Sequence, residues 1–171
     1  DKLSRKMKRT TSIGIRINPG VDANTLSKIS TGKIDSKFGL PKSNFLRFCR
    51  NFGKYKNLKI KAVSVHIGSQ ITNLNAFRQT FENLEKLIYD LKERNIHLDN
   101  VDIGGGLGIK YTDDDIEPDL QEYATLVKQK LGNLNCRIIF EPGRYIVGNC
   151  GILVTKVLYK KTTQNKNFII T

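Results

Sequence analysis

"IKAVSVHIGSQITNLNAFRQTFENLEKLIYDLKERNIHLDNVDIGG", residues 60–105, holds one complete strand–helix–strand unit. Ile60–Gly68 is a short apolar run that stops at a glycine, the mark of a strand covered on both faces. Over residues 75–94, Phe77, Phe81, Leu84, Ile88 and Leu91 recur at steps of three and four, while Arg78, Glu82, Glu85, Lys86 and Lys92 occupy the other face. That spacing predicts an amphipathic helix. Asn100–Gly105 is again a strand, closed by glycines. Two strands joined through a helix run parallel, because the helix returns the chain to the starting edge of the sheet.

The same rhythm extends in both directions. Thr11–Asn18, "TSIGIRIN", places Ile13, Ile15 and Ile17 on one face and reads as a strand. Residues 21–40 are polar and irregular, and Pro41 opens a helix with Phe45, Phe48, Cys49 and Phe52 on one side and Gly53 as its stop. Downstream, Pro118 is placed as the first residue of a helix carrying Leu120, Tyr123, Ala124, Val127 and Leu131, with Gly132 ending it. "CRIIFEPG", Cys136–Gly143, is the fourth strand. After "EPGR" the pattern changes: "GILVTKVLYKKTTQNKNFIIT" alternates like an antiparallel hairpin with a polar turn near Thr162–Lys166. The fold class is therefore α/β. The parallel units fit half of a (β/α)8 barrel or a small doubly wound sheet, and periodicity does not choose between them.

Composition narrows the function classes. With 39% hydrophobic residues in 171, the chain can bury one ordinary core. Its apolar runs are too short and glycine-broken to span a bilayer. "DKLSRKMKRT" has neither an initiator Met nor an apolar signal core, and reads as a cut inside a longer protein or as a processed end. Cys49, Cys136 and Cys150 show no metal-ligand spacing and suit a reducing cytoplasmic setting as buried small apolar residues. The net charge of +13 admits a basic nucleic-acid-binding domain as an alternative. The cations are dispersed, however, and lack the aromatic interleaving of single-strand binders, so a lysine and asparagine bias on solvated faces explains them better.

Ligands of parallel sheets bind at the C-terminal ends of the strands, and the unusual residues gather there. His66, Gly68, Ser69 and Gln70 end one strand, Gly104, Gly105 and Gly106 the next, and Glu141, Gly143 and Arg144 the last. Gly104 and Gly106 fit the first two places of a dinucleotide fingerprint, but Ile109 occupies the third and the next helix starts too late. There is no phosphate-binding G-x-x-x-x-G-K-[ST] either. The glycines then serve either a bare tight turn or backbone N–H groups presented to one phosphate. His66, inside an apolar run, is either a satisfied core residue or a ligand contact favoured by its neighbours Gly68 and Ser69. His97 has no such company and is structural. Glu141 and Arg144 either pair with each other or face, respectively, a cationic ring nitrogen and a carboxylate or phosphate. Asp113–Asp115 form a solvated acidic run ahead of a helix. No metal site, nucleophilic triad or carboxylate dyad is indicated.

"IRINPGVDANTLSKISTGKIDSKFGL", "VSVHIGSQI", "VDIGGGLGI" and "EPGRYIVGNCG", taken in order, resemble the alanine-racemase-like barrel family of pyridoxal-phosphate-dependent decarboxylases, over nearly the whole chain. The first segment pulls toward the diaminopimelate branch, although Leu26 stands where many members have histidine. The resemblance implies the C-terminal half of a pyridoxal 5'-phosphate-binding (β/α)8 barrel over residues 1–148 and the first strands of a β-domain over 149–171. It implies decarboxylation of meso-diaminopimelate to L-lysine and CO2 by the full-length protein, with an ornithine- or arginine-type decarboxylase as the alternative. It also implies a cytoplasmic homodimer, with no nucleic-acid or membrane partner. His66 would stack on the cofactor ring; Ser69, Gly104, Gly105, Gly106 and the Gly143 region would hold its phosphate. Glu141 would lie by the pyridine nitrogen and favour its protonated form, which accepts the charge left by departing CO2. Arg144 would meet phosphate or substrate carboxylate, and Lys37 would lie toward a subunit interface. The lysine that bonds the cofactor would precede residue 1, so this segment alone is expected to be inactive.

Overall fold

The computed structural model describes residues 1–23, 32 and 37–171. Leu26 and most of the polar stretch around it lie outside the described residues. The elements are α1 (Lys2–Lys6), β1 (Thr11–Asn18), β2 (Leu40–Pro41), α2 (Lys42–Arg50), β3 (Leu58–Ser64), α3 (Asn75–Glu93), β4 (Asn100–Asp102), α4 (Leu120–Leu131), β5 (Arg137–Ile139), α5 (Arg144–Val147), β6 (Tyr159–Thr162) and β7 (Asn167–Ile170).

Five strands form one sheet in the order β2-β1-β3-β4-β5, and all its pairings are parallel. Apart from the two-residue β2, which pairs on the outer edge of β1, the order β1-β3-β4-β5 follows the chain, and α3 and α4 lie side by side on one face. Their apolar sides meet through Phe77, Phe81 and Tyr123, with Phe77 and Tyr123 edge to face at 5.1 Å between centroids. Above that seam, Glu82 pairs with Lys130 at 2.9 Å and Arg78 with Glu122 at 3.4 Å; such exposed pairs contribute at most about 1 kcal/mol each. A doubly wound sheet reverses its strand order and carries helices on both faces. Here α2 is tied to α3 by the Lys42–Asp90 ion pair and α3 packs on α4, so the helices share one face and the sheet winds once, as an arc of a barrel does. Ile17, Val63, Val65, Ile67, Val101 and Ile103 pack with the helices in the core.

The opposite face carries a row of polar groups toward the C-terminal ends of its strands. Register places Arg16 beside Ser64, Ser64 beside Asp102, and Asp102 beside Ile139, so these four side chains form one row across the sheet. The strict alternation of side chains along a strand assigns them there.

Several boundaries differ from the sequence reading. The ladder of β3 ends at Ser64, of β4 at Asp102 and of β5 at Ile139, short of the glycines. Beyond those points the strands stay joined by isolated bonds, from Val65 N–H to Asp102 O at 2.9 Å, from Ile103 N–H to Ile139 O at 3.0 Å and from Glu141 N–H to Gly104 O at 2.8 Å. Pro118 is not the first helical residue. Asp119 caps α4, its carboxylate accepting from Gln121 N–H at 2.7 Å and Glu122 N–H at 3.2 Å, which satisfies donors that the helix leaves open. Gly53 falls inside a 3-10 turn, Phe52–Lys54, after α2 has ended at Arg50. Leu40, at the end of the stretch read as irregular, and Pro41, read as the start of a helix, instead pair with Ile17 and Asn18 as an edge strand, and α2 begins at Lys42. Cys49 is buried and Cys136 half-buried, but Cys150 is exposed, so the expectation of three buried thiols fails there. β6 and β7 form the expected antiparallel hairpin, with Thr163 N–H donating to Lys166 O at 2.9 Å across the turn. Among the described residues no helix is long and apolar enough to cross a membrane.

Candidate active site

The C-terminal ends of β3, β4 and β5 converge on the polar face. A cavity of about 390 Å³ opens there, lined by Arg16, Ser64, Val65, His66, Asp102 and Glu141. The glycine run lies between the two outer segments. A Cβ on Gly104, where φ is +69°, would collide with the Val65 carbonyl and stand 2.9 Å from His66 Nδ1. One on Gly105 would collide with the Glu141 carbonyl, and one on Gly106, at φ +105°, would lie 2.5 Å from the Gly68 carbonyl. The run is therefore a close approach of three main chains, and neither left-handed position suits a larger residue. Asp102 fixes its start, accepting from Gly104 N–H at 2.8 Å.

His66 is half-buried, and its Nδ1 accepts the Gly105 N–H at 3.3 Å. An accepting Nδ1 places the ring proton on Nε2 and leaves the imidazole neutral. The electrostatics agree. Burial lowers the His66 pKa from its ordinary value and the nearby Arg16 guanidinium lowers it further, while Glu141 and Asp102 act in the opposite sense. Arg16 also donates to the His66 carbonyl at 3.3 Å.

Arg144, at the start of α5, donates from Nε to the Ser69 hydroxyl at 3.2 Å and from its guanidinium to the Tyr111 hydroxyl. Among the described residues Glu141 and Arg144 form no ion pair with each other; Glu141 lines the cavity, and Arg144 is held by Ser69 and Tyr111. Gly143, the residue before α5, has nothing within 4 Å of a would-be Cβ and faces open space. Asp115 is not a bare solvated charge. Its carboxylate accepts from Tyr111 N–H and Thr112 N–H, both at 2.8 Å, and these bonds lower its pKa. It thus closes the loop that presents Tyr111 to Arg144. Lys37 lies with its ammonium 5.1 Å from the Phe38 ring centroid.

The residues singled out at the strand ends therefore lie around one region. Sequence reasoning missed Arg16, Ser64, Asp102 and Tyr111, and it noted Gln70 at the strand end without giving it a role. A signal existed for the first three: Arg16 alternates with the isoleucines of β1, and Ser64 and Asp102 with the buried valines of β3 and β4. Polar residues in that phase belong to a face without helices.

Singly wound parallel strands, with polar groups at their C-terminal ends, define an α/β enzyme-type scaffold of the barrel class. The chain belongs to the pyridoxal-dependent decarboxylase family: residues 1–148 match the family described as "Pyridoxal-dependent decarboxylase, pyridoxal binding domain". It is similar to diaminopimelate decarboxylases, at 37% identity to that of Zymomonas mobilis over 99% of this chain and 40% of the relative, and at 43% to that of Vibrio cholerae over 92% of this chain and 38% of the relative. The crystal structure of diaminopimelate decarboxylase from Helicobacter pylori complexed with L-lysine superposes with a TM-score of 0.87 at 35% identity, covering 98% of this chain and 42% of that one. The chain thus spans about 40% of the length of the relatives it matches.

The residues present suit pyridoxal phosphate. An anion requires N–H and hydroxyl donors with room beside them, which the main chain at Gly106, Ser69, Arg144 and the open side of Gly143 supply; the Gly104 and Gly105 amides, expected from the sequence to join them, are instead engaged by Asp102 and His66. A flat cationic ring tolerates a neutral imidazole against its face better than a charged one, and the neutral form of His66 is the one favoured here. A ring nitrogen that must stay protonated calls for a carboxylate, and Glu141 borders the same cavity.

Proposed function

We propose that the full-length protein is a pyridoxal-phosphate-dependent carboxy-lyase that converts meso-diaminopimelate to L-lysine and CO2. The observation that carries this reading is the junction of the His66, Gly104–Gly106 and Glu141 segments around one cavity, in a chain whose relatives of 37–43% identity are diaminopimelate decarboxylases. Bound pyridoxal phosphate supplies the electron sink for carbon–carbon cleavage. In this reading Ser69, Arg144 and the main chain at Gly106 and Gly143 bind the phosphate, Gly104 and Gly105 shape the loop that carries Gly106, and His66 fixes the plane of the ring. Glu141 holds the proton on the ring nitrogen. Arg144, already aimed by Ser69 and Tyr111, is placed to share its fork between phosphate and a substrate carboxylate. Fixed in advance, these groups need no reorganisation when charge develops.

The same reading makes residues 149–171, whose hairpin is antiparallel and largely exposed, the start of a β-rich domain, with Ile152 at 91% exposure awaiting cover. It also includes a cytoplasmic homodimer with no nucleic-acid or membrane partner. The test is product analysis on the full-length protein supplied with meso-diaminopimelate, ornithine, arginine and lysine. L-Lysine and CO2 from the first substrate alone support the proposal. Putrescine or agmatine would move the assignment to the ornithine or arginine type. Absence of a borohydride-trappable cofactor would defeat both.

A further inference from the structure

Gln70 follows Ser69 and sits at φ +59°, a left-handed conformation that costs a non-glycine residue about 1 kcal/mol or more. The turn takes its main chain out of line with the neighbouring glycine loop. Main-chain pairing between the two loops amounts to one parallel bridge, Ile71 with Leu107. Ile71 N–H donates to Gly106 O at 2.9 Å, and Gly108 N–H donates to Ile71 O at 3.0 Å.

The Gln70 side chain adds the next rung. Its Nε2 donates to the Ile109 carbonyl at 2.6 Å, and its Oε1 accepts from Ile109 N–H at 3.2 Å. A primary amide carries a donor and an acceptor side by side, as a strand residue does, and so satisfies both main-chain groups of Ile109 at once. Gly108 leaves the room: a Cβ there would lie 3.2 Å from the Gln70 amide carbon. The spacing of the two loops is thus set on both sides of Ser69, by Gly68 against Gly106 before it and by Gln70 against Ile109 after it.

We propose that Gln70 is a positioning residue for the anion cradle. By clamping Ile109 it holds the Ser69 hydroxyl and the main chain at Gly106 at the separation that one phosphate group spans. The proposal rests on the reading of this site as a pyridoxal phosphate cradle, and the experiment separates the two. The full-length apoprotein is titrated with pyridoxal 5'-phosphate and with pyridoxal, which lacks the phosphate, and the ratio of the two dissociation constants measures what the phosphate adds. Gln70→Glu keeps size and acceptor but removes the donor. Gln70→Gly removes the clamp and relieves the left-handed backbone, so it remains informative if the glutamate variant fails to fold. Wild type is expected to prefer the phosphorylated compound strongly, and each folded variant to lose about tenfold of that preference, the scale of one or two hydrogen bonds, with pyridoxal affinity nearly unchanged. An undiminished preference, or an equal loss for both compounds, overturns the role of Gln70. A wild-type protein without the preference overturns the cradle itself.

Discussion

Gly106→Ala tests the close approach on which the site is built. Gly106 has φ +105°, and an added methyl would stand 2.5 Å from the Gly68 carbonyl oxygen and 3.2 Å from Ile71 Cδ1. Two costs follow. The backbone conformation is unfavourable for alanine by about 1–3 kcal/mol, and the crowding adds about 1–3 kcal/mol, as overpacking does elsewhere. Relieving the second cost means widening the gap toward 3.4 Å, the start of ordinary contact, and therefore moving the Gly68–Ile71 loop by roughly 1 Å, a displacement that can cost about 10²-fold in a site needing exact placement. Summed, about 2–6 kcal/mol is a large part of the stability of a domain, typically about 5–15 kcal/mol, and at about 2–4 °C per kcal/mol it lowers the melting temperature by roughly 5–20 °C. The assay is thermal unfolding of the apoprotein together with pyridoxal phosphate titration. Gly53→Ala is the control, because nothing lies within 4 Å of its would-be Cβ and its φ is not positive; it should melt at or slightly above wild type. A Gly106→Ala protein that melts within 2 °C of wild type, by the same scale under about 1 kcal/mol, and binds cofactor equally well refutes the account of the glycine run.

Glu141→Gln is expected to retain cofactor while turnover of the full-length enzyme drops roughly 10²-fold or more, since a neutral amide no longer favours the protonated ring nitrogen; an unchanged rate removes Glu141 from that role. For His66 the folded pKa lies below the ordinary 6.5. Its neutral-state stability is therefore complete above that value and is lost as pH falls below 6.5 toward the folded pKa, because the unfolded chain takes up the proton first. Urea unfolding at a series of pH values should show this decline in wild type and less of it in His66→Gln; identical slopes would contradict the buried neutral imidazole. Asp119→Ala should destabilise by about 1 kcal/mol through loss of the α4 cap, read from the urea midpoint at constant m-value, and a midpoint unchanged from wild type would deny the cap.

The helices and strands were legible because periodicity reports which face of an element is covered. Phe77 through Leu91 marked α3, and the alternating isoleucines marked β1, without any knowledge of their partners. The strand-end residues His66, Gly104–Gly106 and Glu141 were legible for a related reason: polar groups and glycines interrupt apolar runs where burial stops. Pro118 was misplaced because a proline and a following aspartate compete for the helix start, and only the Asp119 hydrogen bonds decide it.

By itself the sequence determined the parallel βαβ rhythm, the break after "EPGR" and the resemblance to a decarboxylase family, all carried by local pattern and motif order. Tertiary structure alone decided that the sheet winds once, that Arg16, Ser64 and Asp102 share a row, and that Gln70 reaches across to Ile109. The physical reason is that register, strand order and side-chain clamps are relations between segments tens of residues apart. Periodicity records the face a residue occupies, and only the packed chain records its neighbour.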